Sequence, residues 1–289
     1  MAVSNTKKWT MMTTSIKGMI FALLCAICWS FTGLVTKIVP LSVYVISGIE
    51  GLISFIFLLY IKRNKIKITP YVLMVGLIQF LMHITFAIAN KYCNIGNAIV
   101  LQYSSMIFIL FYQFIDKHNK PQFYQIIVIL LSIIGMVIFF YDSISFKNFI
   151  GSLLAVISGA FFGLQFYLNT KEKANPDISN IVQFGFSIIG MFAYFLITKE
   201  THITINQVLQ LISAGIICGL FASLCFAKCI KYISAFSANV ICMSEIVFAS
   251  VWGFIFLHEA FTRTSLIGAV FMVTALIYNK YKEYKLGEF

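Results

Sequence analysis

Two glutamates lie inside long apolar runs of this chain. Glu50 falls in "LSVYVISGIEGLISFIFLLYI" (41–61) and Glu245 in "SANVICMSEIVFASVWGFIFL" (237–257). A carboxylate at the centre of a bilayer costs at least ~2.5–3.5 kcal/mol on insertion scales. Burial raises a carboxylate pKa and a nearby cation lowers it, so an acid held there can exchange a proton for a substrate ammonium group. The plainer alternative is a protonated, hydrogen-bonded packing group, or a pair with Lys228. Helical spacing gathers further polar side chains into stripes. These are Cys25, Trp29, Thr32 and Thr36; Ser47, Glu50 and Ser54; Gln79, His83, Phe86 and Asn90; Gln102, Ser105 and Gln113; Ser158, Phe162, Gln165 and Asn169; and Cys242, Glu245 and Trp252. Each stripe faces either a neighbouring helix, through ordinary interhelical hydrogen bonds, or a water-filled path. The expected substrate-binding or coupling set is Glu50, Glu245, Trp29, Thr32, Ser47, Gln79, His83, Gln102, Ser105, Phe162, Gln165 and Trp252. With Tyr44 and Tyr103, its aromatics could hold a cation by cation–π contact.

The elements that carry these residues follow from composition. The 289 residues are 60% hydrophobic and 11% charged, against about half and about a quarter in a soluble domain. That excludes a water-soluble core and points to a polytopic membrane protein. A lipid-exposed backbone must satisfy its own hydrogen bonds, so each long apolar run reads as a helix. Ten are expected, at roughly 16–36, 41–61, 70–90, 96–115, 122–141, 148–168, 178–198, 207–228, 236–257 and 263–280, all joined by short connections. The least defined boundary is near Lys228–Phe236. Pro40, Pro70, Pro121 and Pro176 fall at or between span ends, as helix punctuation should. Glu50 is then ~15 Å from either edge of its span, and Glu245 is shallower.

The net charge of +11 reads as membrane topology and not as a nucleic-acid surface, because the basic residues are scattered between apolar runs. With the N-terminus in the cytoplasm, 16 of the 21 Lys and Arg residues lie inside. This bias predicts a plasma-membrane protein with both termini cytoplasmic. The seven cysteines sit almost entirely in apolar runs. Cys25 and Cys28 form a CxxC with no second pair or histidines nearby, so they read as packing residues; no metal or cofactor is expected. The first run reads as a span and not as a cleaved signal.

The sequence also repeats itself. At an offset of 140, "FAIANKYCNIGNAIV" (86–100) falls on "FAKCIKYISAFSANV" (226–240), and the match continues without a gap to His118 on His258. At an offset of 133, Gly18 falls on Gly151 and Ala22 on Ala155. Two units follow, 1–145 and 146–289, with five spans each. An odd number of spans inserts the second unit upside down, an architecture of secondary transporters whose substrate site lies at the repeat interface near the midplane.

The stretch "SEIVFASVWGFIFLHEAFTRTSLIGAVFMVTA" (244–275) and the preceding "KYISAFSANV" resemble the second repeat of the EamA branch of the drug/metabolite transporter superfamily, and the resemblance covers nearly the whole chain. It implies an all-α bundle of ten transmembrane helices in two inverted five-helix repeats, moving small metabolites by alternating access. Three features depart from that pattern. Ile246 and Met106 stand where proline usually follows the acid, so any bend must come from glycine or polar residues. Asn119 aligns with Glu259. Glu50 stands in a span that often carries Arg. The expected activity is secondary active transport of an amino acid or amine-like metabolite, with proton exchange as one coupling mode. A facilitative carrier, an intramembrane enzyme and a receptor are the alternatives. The chain has four histidines, no HExxH and no GxSxG, so an enzyme is not expected. No phosphate-binding loop is present for ATP drive.

Overall fold

The computed structural model describes residues 2–92, 95–117, 120–142, 148–199, 203–258, 260 and 262–287. Glu259, Asn119, His118 and His202 fall outside them. The helices are α1 (Ala2–Ile38), α2 (Val43–Lys62), α3 (Pro70–Tyr92), α4 (Ile95–Gln102), α5 (Ser105–Lys117), α6 (Phe123–Phe139), α7 (Phe149–Asn169), α8 (Pro176–Thr198), α9 (Ile205–Ala214), α10 (Ala222–Tyr232), α11 (Ala235–Cys242), α12 (Glu245–Leu257) and α13 (Arg263–Leu286). A π-helical turn, Gly215–Phe221, joins α9 to α10. Eight spans are long and apolar enough to cross a membrane, and α6 is a shorter apolar helix. With α13 these make the ten, because α4–α5, α9–α10 and α11–α12 each form one span. The chain is an all-α membrane bundle.

The broken spans explain themselves locally. Neither break contains proline. Ser104 Oγ donates to Leu101 O at 2.6 Å, and Ser244 Oγ donates to Ile241 O at 2.7 Å. A serine that bonds back to its own helix competes with the backbone ladder and bends it. The two serines are mates at the offset of 140. The flanking helix bounds obey the same offset, with 95 on 235, 102 on 242, 105 on 245 and 117 on 257. The boundary near Lys228–Phe236 is resolved at Ser234, whose Oγ caps α11 by accepting from Ser237 N at 3.1 Å.

Packing repeats the duplication. α3 lies along α7 as α10 lies along α1, and α6 lies along α13. Ser158 Oγ donates to Met82 O at 3.1 Å, and its mate Cys25 points its thiol at Ala222 O at 3.5 Å. Residues 25 and 158 are mates at 133, and 82 and 222 at 140, so the same interhelical bond is made twice. Gln102 Nε2 donates to Ser158 Oγ at 2.9 Å. The mates of that pair, Cys242 and Cys25, are neighbours too, each pointing its thiol at a backbone carbonyl, Ala22 O and Ala222 O. Large apolar residues on the outer faces, such as Leu196, Ile197 and Ile277, are exposed, as the lipid-facing side of a bundle must be.

Candidate functional site

The site is built where repeat mates meet. Trp29 of α1 and Phe162 of α7 are mates at 133, and their rings lie 6.1 Å apart. Residues that face their own mates mark the pseudo-twofold interface. Trp29 also meets Phe226 of α10 at 5.8 Å. Phe166 stands edge-on to Phe162 at 5.1 Å and to Phe226 at 5.2 Å. Tyr103, at the α4–α5 break, stands edge-on to Phe162 at 5.9 Å. Together they form a continuous aromatic floor, buried except at Trp29, and edge-to-face pairs are a favourable ring geometry.

Above the floor the bundle is open. At about 100° per residue, Gly33 and Thr36 share the face of α1 that Trp29 presents to the interior, yet both are exposed. A Cβ on Gly33 would meet nothing within 4 Å. Thr32 beside them is also exposed. On α3, His83 shares the helix face of Gly76 and Gln79, the residues packed on α8 lower in the bundle. It too is exposed. These residues lie toward the end of the bundle away from the two termini. Toward the terminal end the same faces are closed: α11 is buried throughout, as are Gln165, Phe166 and Asn169 of α7.

Both acids border the open region. Glu245 begins α12 at the ninth-span break and accepts a 2.7 Å hydrogen bond from the Tyr103 hydroxyl. Its partner is this phenol and not Lys228, whose ammonium stands 4.8 Å over the ring of Phe21. A carboxylate in the first turn of a helix is also favoured by the backbone dipole. Glu50 is half-buried, and its buried Oε1 has no hydrogen-bond partner. It faces the π-helical turn, where Cys218 lies beside Thr32 and within electrostatic reach of Glu50. The turn approaches α2 closely because it carries glycine. A Cβ on Gly215 would lie 2.9 Å from Ile53 Cβ, and one on Gly219 only 1.9 Å from Ser54 Oγ. Ser54 Oγ reaches Gly215 O at 2.9 Å. Such π-turns recur at functional sites. Sequence reading missed this one, although the Gly-xxx-Gly spacing of residues 215 and 219 signals close helix approach.

The expected residues therefore separate into groups. Trp29, Phe162, Glu245, Thr32 and Glu50 surround the floor and the open space; His83 is exposed on α3 without a contact to the floor, and Ser47 lies on the Glu50 face, half-buried. Gln79 instead donates to Asn180 Oδ1 at 2.9 Å, Gln102 to Ser158, and Ser105 to Asn239 Oδ1 at 3.0 Å; these pairs bind helix to helix. Gln165 is buried below the floor with Oε1 unpartnered. Trp252 lies to one side, with its Nε1 donating to Ser30 Oγ at 2.8 Å and its ring stacked on Phe31 at 4.4 Å. Among the described residues no cluster has the makings of a metal site.

This geometry has relatives. The pattern of the EamA-like transporter family matches residues 16–141 and again 149–279. The chain belongs to the EamA-like transporter family. An "Uncharacterized transporter" of Clostridium kluyveri is 25% identical over 288 residues, covering 91% of this chain and 93% of the relative. A solved crystal structure, 13% identical, shares the fold at a TM-score of 0.79 over 93% of this chain and 98% of that one. This EamA-like protein is thus a membrane transporter of two inverted repeats, with its substrate class to be read from the site.

Proposed function

We propose that this EamA-like protein is a secondary active transporter of the plasma membrane that carries a small amino acid or amine-like metabolite by alternating access, with Glu50 as the coupling acid. The observation that carries this reading is the buried, unpartnered Glu50 Oε1 beside an open, aromatic-walled space. An isolated buried carboxylate oxygen is costly unless it is protonated or meets a cation. Glu245, braced by Tyr103, would be a second anchor, and Trp29 and Phe162 offer ring faces to an ammonium group. We place the boundary between the halves at 145/146, between the two inverted repeats. The Lys and Arg bias sets both termini in the cytoplasm, so the open end would face outward.

The test is flux into proteoliposomes of amino acids and amines under an imposed pH gradient, with Glu50→Gln and Glu245→Gln beside the parent. The expected result is that the parent responds to the gradient and Glu50→Gln loses that response. If both variants keep the parent's flux and pH dependence, the carboxylate mechanism is wrong. Flux that is substrate-driven in all three proteins would indicate a facilitative carrier.

A further inference from the structure

A cleft opens at the terminal end of the bundle, remote from the aromatic floor. Here the end of α2, the following short 3₁₀ turn Arg63–Lys65, the start of α8 and the end of α10 converge around a cleft of about 300 Å³. Three separate elements place a lysine on its wall: Lys62 from α2, Lys65 from the turn and Lys231 from α10. Asp177 is its one acid, and Asp177 Oδ2 is already engaged by Lys62 at 2.9 Å. Neither Lys65 nor Lys231 is paired with an acid among the described residues. The wall therefore carries two positive charges in excess, with the Asn175 side chain beside them.

All of these residues sit at span ends, at headgroup depth. Long basic side chains at span ends extend toward the interface, and basic pockets between helix ends on the positive side of a membrane hold anionic headgroups. We infer that this cleft binds a phosphate ester, with Lys65 and Lys231 as the charge partners and the Lys62–Asp177 pair forming one wall. The ester reaches it either as the headgroup of an anionic phospholipid or as a free phosphate monoester. By spanning α2, α8 and α10, a bound ester ties together the helices that close this end.

The experiment uses the full-length protein in nanodiscs of purely zwitterionic lipid and in nanodiscs doped with phosphatidylglycerol. Retained lipid is read by native mass spectrometry and thermal stability by Tm. Lys65→Gln/Lys231→Gln removes the charge partners and leaves the Lys62–Asp177 pair intact. Lys67→Gln/Lys120→Gln removes the same charge from two exposed lysines at the same end that do not line the cleft, as a control. With each cleft lysine in direct contact with the bound ester, at about five-fold apiece, the cleft variant is expected to lose on the order of 30-fold in affinity for the retained phosphatidylglycerol, a loss that lysines outside the cleft do not share. The control should lose much less, and the Tm gain on doping should vanish in the cleft variant alone. If glycerol phosphate raises Tm in zwitterionic discs and displaces the lipid, the free ester is the ligand and the site stands. Equal losses in the two double variants, or no loss in the cleft variant, would overturn the proposal.

Discussion

At the residue scale, the most informative contact is the Tyr103 hydroxyl on Glu245. A hydrogen bond to an ionised group contributes about 1.5–3 kcal/mol, and this one joins the two helix breaks across the repeat interface. Tyr103→Phe is expected to weaken substrate affinity by roughly ten-fold, a change of ~1.4 kcal/mol, and Glu245→Gln should do at least as much. If the pair acts as a unit, the double variant loses little more than Glu245→Gln alone in a binding titration. Fully additive losses would mean that the two residues act separately. The sequence showed Glu245 and the Trp29–Phe162 correspondence, because apolar runs make an acid conspicuous and the repeat aligns mates. It did not show Tyr103 as a donor, because the break resets the helical phase between Gln102 and Ser105. Nor did it separate Gln79 and Ser105, now seen bonded to Asn180 and Asn239, from residues at the open space. Helical phase gives a face, and only the neighbouring helix decides whether that face is dry.

At the scale of elements, the ten spans were legible from hydropathy and proline placement, with most ends within about two residues; the exceptions are α1, which begins earlier at Ala2, and α10 and α13, which run on to Tyr232 and Leu286. The breaks and the π-turn were not, because they depend on serine back-bonding and on close approach between helices distant in sequence. The π-turn packs on α2 with no room for a methyl group at Gly219. Gly219→Ala is expected to cost about 1–3 kcal/mol through overpacking, read as a lower Tm in detergent, while Gly33→Ala, which meets nothing, should leave Tm unchanged. The terminal end is held by polar clasps. Glu283 is buried and accepts from Ser237 Oγ at 3.0 Å, from Ser234 Oγ at 3.4 Å and from Lys280 Nζ at 2.6 Å. It thereby pins α11 to α13. Glu283→Gln should loosen this seam, and hydrogen exchange in α11 is the measurement, with unchanged protection counting against the clasp. Lys171, in the α7–α8 connection, bonds both Asp116 and Tyr167. Burial tends to lower its pKa, but those two hydrogen bonds prevail and hold it above the ordinary lysine value. A raised lysine pKa adds stability that is complete below the unfolded value of about 10.4 and is lost as pH climbs through the folded one. Parent and Lys171→Met should therefore differ in Tm at neutral pH and converge only in strongly alkaline buffer.

At the scale of the whole molecule, one conformation specifies features of its counterpart, because the halves are inverted copies. The open face of α1, at Thr32 and Thr36, corresponds at the offset of 133 to Gln165 and Asn169 of α7. Thr36 is exposed, whereas Asn169 is 4% exposed. A water-soluble maleimide given access to both faces, with the protein in nanodiscs, should therefore label Thr36→Cys in the resting protein and spare Asn169→Cys. Conditions that favour the opposite conformation should exchange the two reactivities. Reactivities that rise together would describe a pore and not a carrier. The repeat made this correspondence readable from sequence, but which mate is wet and which is dry required the packed structure. Gln165 Oε1 and Asn169 Oδ1 are both buried without a partner, and each such atom costs about 1–3 kcal/mol. Hydration of those two carbonyls on opening would return that cost, so the closed seam is thirsty. It behaves as a latch under tension, poised to spring toward the water it lacks.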